Sequence, residues 1–178
     1  MTLLHPLRYF RYCPRCGSDK FYENDTKSKR CSGCGFVFYI NASAAVAAFI
    51  VNSEGELLVC RRACEPAKGT LDLPGGFVDL HEGVESALAR EVLEETSLEV
   101  LSMKYLFSLP NSYHYSGFDV PTVDLFYLVT VKDGGVPQAN DDVDLCQFIP
   151  IKELKSELFG LDSISKGVSI FLNKAEDL

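Results

Sequence analysis

The chain has 178 residues, 47% hydrophobic and 24% charged, a globular balance that excludes disorder, collagen and coiled coil and allows one ordinary domain plus a small appendage. No apolar stretch approaches the roughly 18 residues of a spanning helix, and the apolar run after Met1 is too short for a secretory signal, so a cytoplasmic protein without a membrane partner is expected. The net charge of −8 is divided unevenly: residues 1–40 hold seven Lys/Arg against three acids, and the acidic remainder repels nucleic acid while its clustered carboxylates suit divalent cations.

Cys13, Cys16, Cys31 and Cys34 come first, in a C-x2-C-x14-C-x2-C pattern. Without an export signal, paired C-x2-C knuckles read as a tetrahedral zinc site rather than disulfides. Gly17 and Gly35 each follow a knuckle, where a tight turn lets two thiolates face one metal. Four cysteines leave no position open for water, so the zinc is expected to be structural. A segment this small buries too little apolar surface to fold unaided, and the metal supplies the difference. The expected modules are a zinc ribbon over 1–39 and a second domain over 40–178.

After residue 41 the composition shifts. The apolar run 43–51 predicts a buried strand, 52–56 a turn and 57–60 a second strand. Residues 69–79, with Pro74-Gly75-Gly76, read as a loop. Residues 84–96 contain no Gly or Pro and predict a helix. Further strands are expected near 98–108, 122–131 and 145–149, with helical segments at 151–159 and 162–174. Cys60, Cys64 and Cys146 read as small buried hydrophobes.

On a helix over 84–96, Glu91, Glu94 and Glu95 share an arc of about 100°. Leu88, Ala89, Val92 and Leu93 occupy the adjoining arc, which suits a core. Three carboxylates on one face repel each other unless solvent or a cation intervenes. Oxygen ligands at this density favour Mg²⁺ or Mn²⁺ over zinc. Arg90 is the one basic residue of the helix, and Glu82 lies just upstream.

The pattern Gly76-x5-Glu82-x7-Arg90-Glu91-Val92-x-Glu94-Glu95-x-Ser97-Leu98 resembles the Nudix box, G-x5-E-x7-R-E-U-x-E-E-x-G-U, with U aliphatic. One fixed position departs: Ser97 stands where the family has a helix-ending glycine, so the local turn is affected while no metal ligand is lost. The resemblance implies an α/β fold with a mixed sheet sandwiched by helices, and Mg²⁺- or Mn²⁺-dependent hydrolysis of a pyrophosphate in a nucleoside diphosphate linked to another moiety. It implies Glu91 and Glu95 as metal ligands and Glu94 as ligand or general base. Glu82 is paired with Arg90, and a backbone carbonyl at Gly75 or Gly76 is a further ligand. Divalent ions then neutralise the developing charge and activate water, and a carboxylate takes the proton. Family members often add an acid from a distal loop, for which Asp141 and Asp144 are the candidates. Arg62 closes the second strand and is a candidate for holding phosphate.

A zinc ribbon ahead of such a domain is similar to the NADH pyrophosphatase subfamily, which also acts on NAD-capped RNA. That subfamily's Ser-Gln-Pro-Trp-Pro-Phe-Pro motif is degenerate here, as Ser108-Leu109-Pro110-Asn111-Ser112-Tyr113-His114. Tyr113, Tyr115 and Phe118 cluster in the loop expected there and offer faces for a nucleobase. NADH or NAD and ADP-ribose or an ADP-sugar are the expected substrates. Two rivals are kept. One is a non-catalytic nucleotide sensor. The other is an RNA-decapping protein that contacts capped RNA through the basic ribbon at Lys27, Lys29 and Arg30. The family often forms homodimers.

Overall fold

The computed structural model describes residues 5–132 and 134–175. It falls into two compact units that divide after Ala42. In the first unit, β1 (Phe21–Asp25), β2 (Ser28–Cys31) and β3 (Val37–Tyr39) form an antiparallel meander. Among the described residues its apolar core is small: Cys13, Phe21 and Cys31 cluster with Cys34, Phe36 and Phe38 around them, and Leu7 is buried as well. That is too little burial to offset the entropy of ordering the unit. Lys29 is not on the solvated basic face expected for it. It is buried, and its Nζ donates to the Phe10 carbonyl at 2.6 Å. The alternation of β2 turns Lys29 inward while exposing its neighbour Arg30.

The second unit contains β4 (Ser43–Ile50), β5 (Glu56–Arg62), β6 (Leu71–Asp72), β7 (Gly75–Phe77), α1 (Val84–Thr96), β8 (Val100–Tyr115), β9 (Phe118–Val131), β10 (Val143–Pro150) and α2 (Asp162–Ala175). One sheet has the order β7-β4-β9-β8, the other β10-β5-β6. The first is mixed: β4 runs parallel to β9 and antiparallel to β7. The uncharged, Ala-rich β4 is buried on both faces, as a central parallel strand requires. Val46, Ala48 and Ile50 join Ala87, Leu88 and Val92 of α1 in one cluster. Ala47 and Phe49 point the other way, toward Ile164 and Val168 of α2. The two helices therefore cover opposite faces, the α/β sandwich expected. The Phe49 ring stacks on Phe171 with centroids 4.2 Å apart.

Several details of this unit differ from expectation. Within the segment read as a loop, 71–72 and 75–77 are the strands β6 and β7, because they pair with β5 and β4. Cys64 is exposed rather than a buried hydrophobe, because it lies beyond the end of β5. Residues 108–114 are strand rather than loop, because β8 continues to Tyr115 and turns directly into β9, with Tyr115 opposite Phe118. Pro110 is compatible with this because β8 is an edge strand, where the missing N–H breaks no ladder. Residues 151–159 form two short 3-10 turns, Ile151–Glu153 and Ser156–Leu158. The residues they plug into the core, Leu154 and Phe159, are five apart and do not share a helical face. Leu93 is 49% exposed rather than in the core. Among the described residues no helix is long and apolar enough to cross a membrane.

Candidate active site

Helix α1 buries Ala87, Leu88, Val92, Glu95 and Thr96. The acidic arc and the apolar arc therefore overlap: Glu95 lies on the stripe that faces the core. Its carboxylate accepts the Gly75 N–H at 3.0 Å. Burial pushes the Glu95 carboxyl up to about 8, against the opposing effect of that N–H. Glu91 is half-buried and is also raised by burial, with Arg90 pulling the other way. Glu94 is the most exposed of the three.

Two glycines bring the backbone against these carboxylates. Gly75 has φ +154°, and a Cβ there would lie 2.0 Å from the Val46 carbonyl oxygen. A Cβ on Gly76 would lie 2.6 Å from the Glu91 carboxylate. Any side chain at either position would displace strand β7 from β4 or push Glu91 away.

Arg90 organises the rim. Its Nε and Nη2 donate to the two oxygens of Glu82 at 3.0 and 2.9 Å, a bidentate fork. Its Nη1 donates to Glu91 at 2.7 Å and Glu94 at 3.1 Å, and Nη2 also reaches the Phe77 carbonyl. One guanidinium thus spans three carboxylates and a main-chain oxygen. These partners, Glu82 foremost, raise its pKa. Glu82 is correspondingly held below the usual carboxylate value by Arg90 and by the Asp79 N–H.

Glu91, Glu94, Glu95, Gly75, Gly76 and Arg90 line a cavity of about 320 Å³. Arg62, Tyr113 and Asp141 line it as well. Arg62 is held by Asp72 at 2.5 Å and by the Pro66 carbonyl at 2.7 Å. The Tyr113 ring meets Phe77 edge-on at 5.5 Å. Asp144 is placed elsewhere, outside the residues that line the cavity, in a half-exposed ion pair with Arg61 at 2.6 Å. Tyr115 lies at the exposed hairpin end, 66% accessible and away from the cavity.

Two buried acids in the wall were missed by sequence reasoning. Asp72 anchors Arg62. Asp124 accepts hydrogen bonds from Asn111 Nδ2 at 3.0 Å, Thr122 Oγ1 at 2.7 Å and the Ser163 hydroxyl. Asp124 carried a usable signal: it is the one charged residue in the apolar segment 122–131, and a buried charge requires partners.

The donor set suits hard cations. Glu91 and Glu95 offer oxygen ligands beside the Gly75–Gly76 backbone, and a buried carboxylate with a raised pKa is stabilised in its charged form by a nearby cation. In the first unit, the sulfurs of Cys13, Cys16, Cys31 and Cys34 all lie within 4.8 Å of one another. Cys13–Cys34 and Cys16–Cys31 are both 3.7 Å apart. Those spacings match the edge of about 3.8 Å in a tetrahedron with metal–sulfur bonds of about 2.3 Å.

The NUDIX domain model matches residues 42–168. An ADP-ribose pyrophosphatase of Methanocaldococcus jannaschii is 32% identical over 132 residues, 72% of this chain and 73% of that protein. The NAD-capped RNA hydrolase NudC of Vibrio parahaemolyticus is 28% identical over 106 residues. The match spans 60% of this chain and only 40% of that relative. Among solved structures, a NUDIX hydrolase from Nitrosomonas europaea superposes with a TM-score of 0.71 at 20% identity, covering 94% of this chain and 93% of its own.

Proposed function

We infer the activity from one premise: the chain belongs to the Nudix family. The reaction is hydrolysis of the pyrophosphate bond in a nucleoside diphosphate joined to a second moiety. The observation that carries this reading is the convergence of Glu91 and Glu95 on the Gly75–Gly76 backbone inside a cavity that Arg62 and Tyr113 also line. ADP-ribose stands first among substrates, supported by the pyrophosphatase relative that is matched over most of its length. NAD(H) and ADP-sugars follow.

Glu91, Glu95 and the Gly75 carbonyl would hold Mg²⁺ or Mn²⁺, with Asp141 as a further candidate across the cavity. What a divalent cation supplies there is neutralisation of pyrophosphate charge and a lowered pKa for water. Glu94, the most exposed of these three carboxylates, would take a proton from attacking water. Arg90 fixes the rotamers of Glu91 and Glu94 through the Glu82 fork. Arg62, immobilised by Asp72, presents positive charge to a phosphate, and Tyr113 offers a face to the base. The four ribbon cysteines hold zinc as structural metal.

The test is a hydrolysis panel with Mg²⁺ and Mn²⁺ over ADP-ribose, ADP-glucose, NADH, NAD⁺, diadenosine polyphosphates and nucleoside triphosphates, with Glu94→Gln as control. AMP released fastest from ADP-ribose supports the reading. Absence of cleavage across the panel, with retained nucleotide binding, replaces it with a non-catalytic sensor.

A second reading, contact with capped RNA, is favoured by the ribbon surface. Tyr9, Tyr12, Tyr22 and Tyr39 are exposed there, in a unit that also exposes Arg11, Arg15, Lys20, Lys27 and Arg30. Stacking faces and cations together suit single strands. RNA affinity should then fall steeply with salt, and the slope should flatten on neutralising Lys27 and Arg30. Buried Lys29 does not belong in that test.

A further inference from the structure

Cys60 of β5 and Cys146 of β10 stand opposite each other in the antiparallel register. Their sulfurs are 2.9 Å apart, and both thiols are free. Cys60 is fully buried, whereas Cys146 is half-buried and reachable by a small oxidant. Directly opposed antiparallel residues have Cα atoms about 4.5–5.5 Å apart, inside the range of roughly 4.4–6.8 Å that a disulfide spans. Bond formation therefore asks for side-chain rotation and no movement of either strand.

The pair sits directly behind the candidate site. The Cys146 thiol lies 3.6 Å from the main-chain carbonyl oxygen of Glu95. On its other side, Cys60 is in register with Asp72, the residue that holds Arg62. One row across the sheet thus runs Cys146, Cys60, Asp72, and both of its ends touch residues of the cavity. Cys64, in contrast, is exposed beside Asp142 with no sulfur partner among the described residues. The ribbon cysteines form their own cluster.

We propose that Cys60 and Cys146 are a redox-modification site: a peroxide joins the two sulfurs in a disulfide, a dithiol separates them, and turnover at the neighbouring carboxylates follows that state. The Cys146 sulfur attacks one peroxide oxygen. The O–O bond breaks, a sulfenic acid forms, and the second oxygen leaves as water with the thiol proton. The Cys60 sulfur then attacks the sulfenic sulfur. The S–O bond breaks, and a second water leaves with the Cys60 proton. Two thiols and one hydrogen peroxide become one disulfide and two waters. Reduction by dithiothreitol restores both thiols by exchange through a mixed disulfide. The oxidised pair no longer offers a thiol hydrogen to the Glu95 carbonyl, and the rotated side chains repack between Glu95 and Asp72. The turnover part rests on the Nudix reading; the disulfide part does not.

The experiment treats the zinc-loaded full chain with hydrogen peroxide, alkylates remaining thiols and digests with trypsin plus a Glu-specific protease without reduction. Cys60 is then alone in peptide 57–61 and Cys146 in peptide 133–152. The expected result is a linked 57–61/133–152 pair that disappears on dithiothreitol treatment. In parallel, kcat/KM for ADP-ribose should fall at least threefold and recover on reduction. Recovery of Cys60 and Cys146 as alkylated thiols, with oxidation confined to Cys64 or the ribbon, overturns the site. Equal peroxide sensitivity of kcat/KM in Cys146→Ala, or in Cys60→Ser should the first fail to fold, overturns its link to turnover. Peptide mapping reads the disulfide without any activity, so failure of the hydrolase reading leaves that part of the test intact.

Discussion

Asn140 donates its side-chain amide to the Ser97 hydroxyl across 2.9 Å. Ser97 ends α1 in the left-handed conformation, φ 60°, with its N–H on the Leu93 carbonyl. The glycine that the family keeps at this position would adopt that conformation without penalty. Here the serine carries the penalty and gains a tether. The Gln138 and Asn140 N–H groups also bond the Thr96 and Glu95 carbonyls. Main-chain carbonyls at the C-terminus of α1, which lack partners within the helix, thus accept from the segment that leads to Asp141.

Ser97→Gly should therefore be nearly neutral in the wild type. Relief of roughly 1 kcal/mol of left-handed strain is offset by loss of a hydrogen bond of similar worth. In an Asn140→Ala background the same substitution should stabilise by about 1 kcal/mol. Urea unfolding of the four proteins checks this, and equal effects in both backgrounds would show that the tether contributes nothing.

Glu94→Gln should keep the melting temperature of the wild type while lowering kcat by about 10²- to 10⁴-fold, the range of a lost proton acceptor. The exposed position of Glu94 makes the stability cost small. Wild-type turnover in this variant would remove Glu94 from the mechanism and move attention to Asp141.

Glu82 provides a pH signature. Arg90 and the Asp79 N–H lower its pKa in the folded protein, so its contribution is present above the ordinary carboxylate value of about 4.3. It is lost as pH falls through the lowered folded value. Stability should decline below about pH 4 more steeply in the wild type than in Glu82→Gln, as read by thermal unfolding across pH 2–7. Parallel curves would dissociate Glu82 from acid unfolding.

Zinc removal should act locally. Cys13→Ser, or a strong chelator, should release the metal and accelerate amide exchange throughout 21–39. Protein analysis should find close to one zinc per wild-type chain. Unchanged zinc content in Cys13→Ser would exclude the four-cysteine site.

Much of this architecture was legible in the residues. The helix Val84–Thr96 begins and ends where the sequence places it, because a run of good helix formers without Gly or Pro has a sharp signature. The paired C-x2-C knuckles led directly to a cluster of four converging sulfurs. The burial of Glu95 was not legible, since a helical wheel sorts side chains by angle and says nothing about which backbone approaches them. That depends on Gly75, twenty positions away. The β8–β9 hairpin was obscured by Pro110, whose tolerance depends on an edge position that only the assembled sheet defines. Asp72 was obscured for the same reason: its partner Arg62 lies across a strand pairing.

The parallel union of β4 with β9 sets a timetable for synthesis. Ser43 pairs with Thr122, 79 positions later in the chain. At roughly 5–20 residues per second, the ribosome needs about 4–16 s to make the partner of a strand it has already released. Throughout that interval the apolar β4 waits without the neighbour that covers its edge, and contacts this distant in sequence also close slowly. The strands β1, β2 and β3 pair only among residues 21–39 and are free to close while translation continues. Vectorial production therefore presents a nascent chain whose leading module matures early and whose catalytic module depends on its middle strands, a period in which chaperone capture of the β4 segment has its greatest effect on yield.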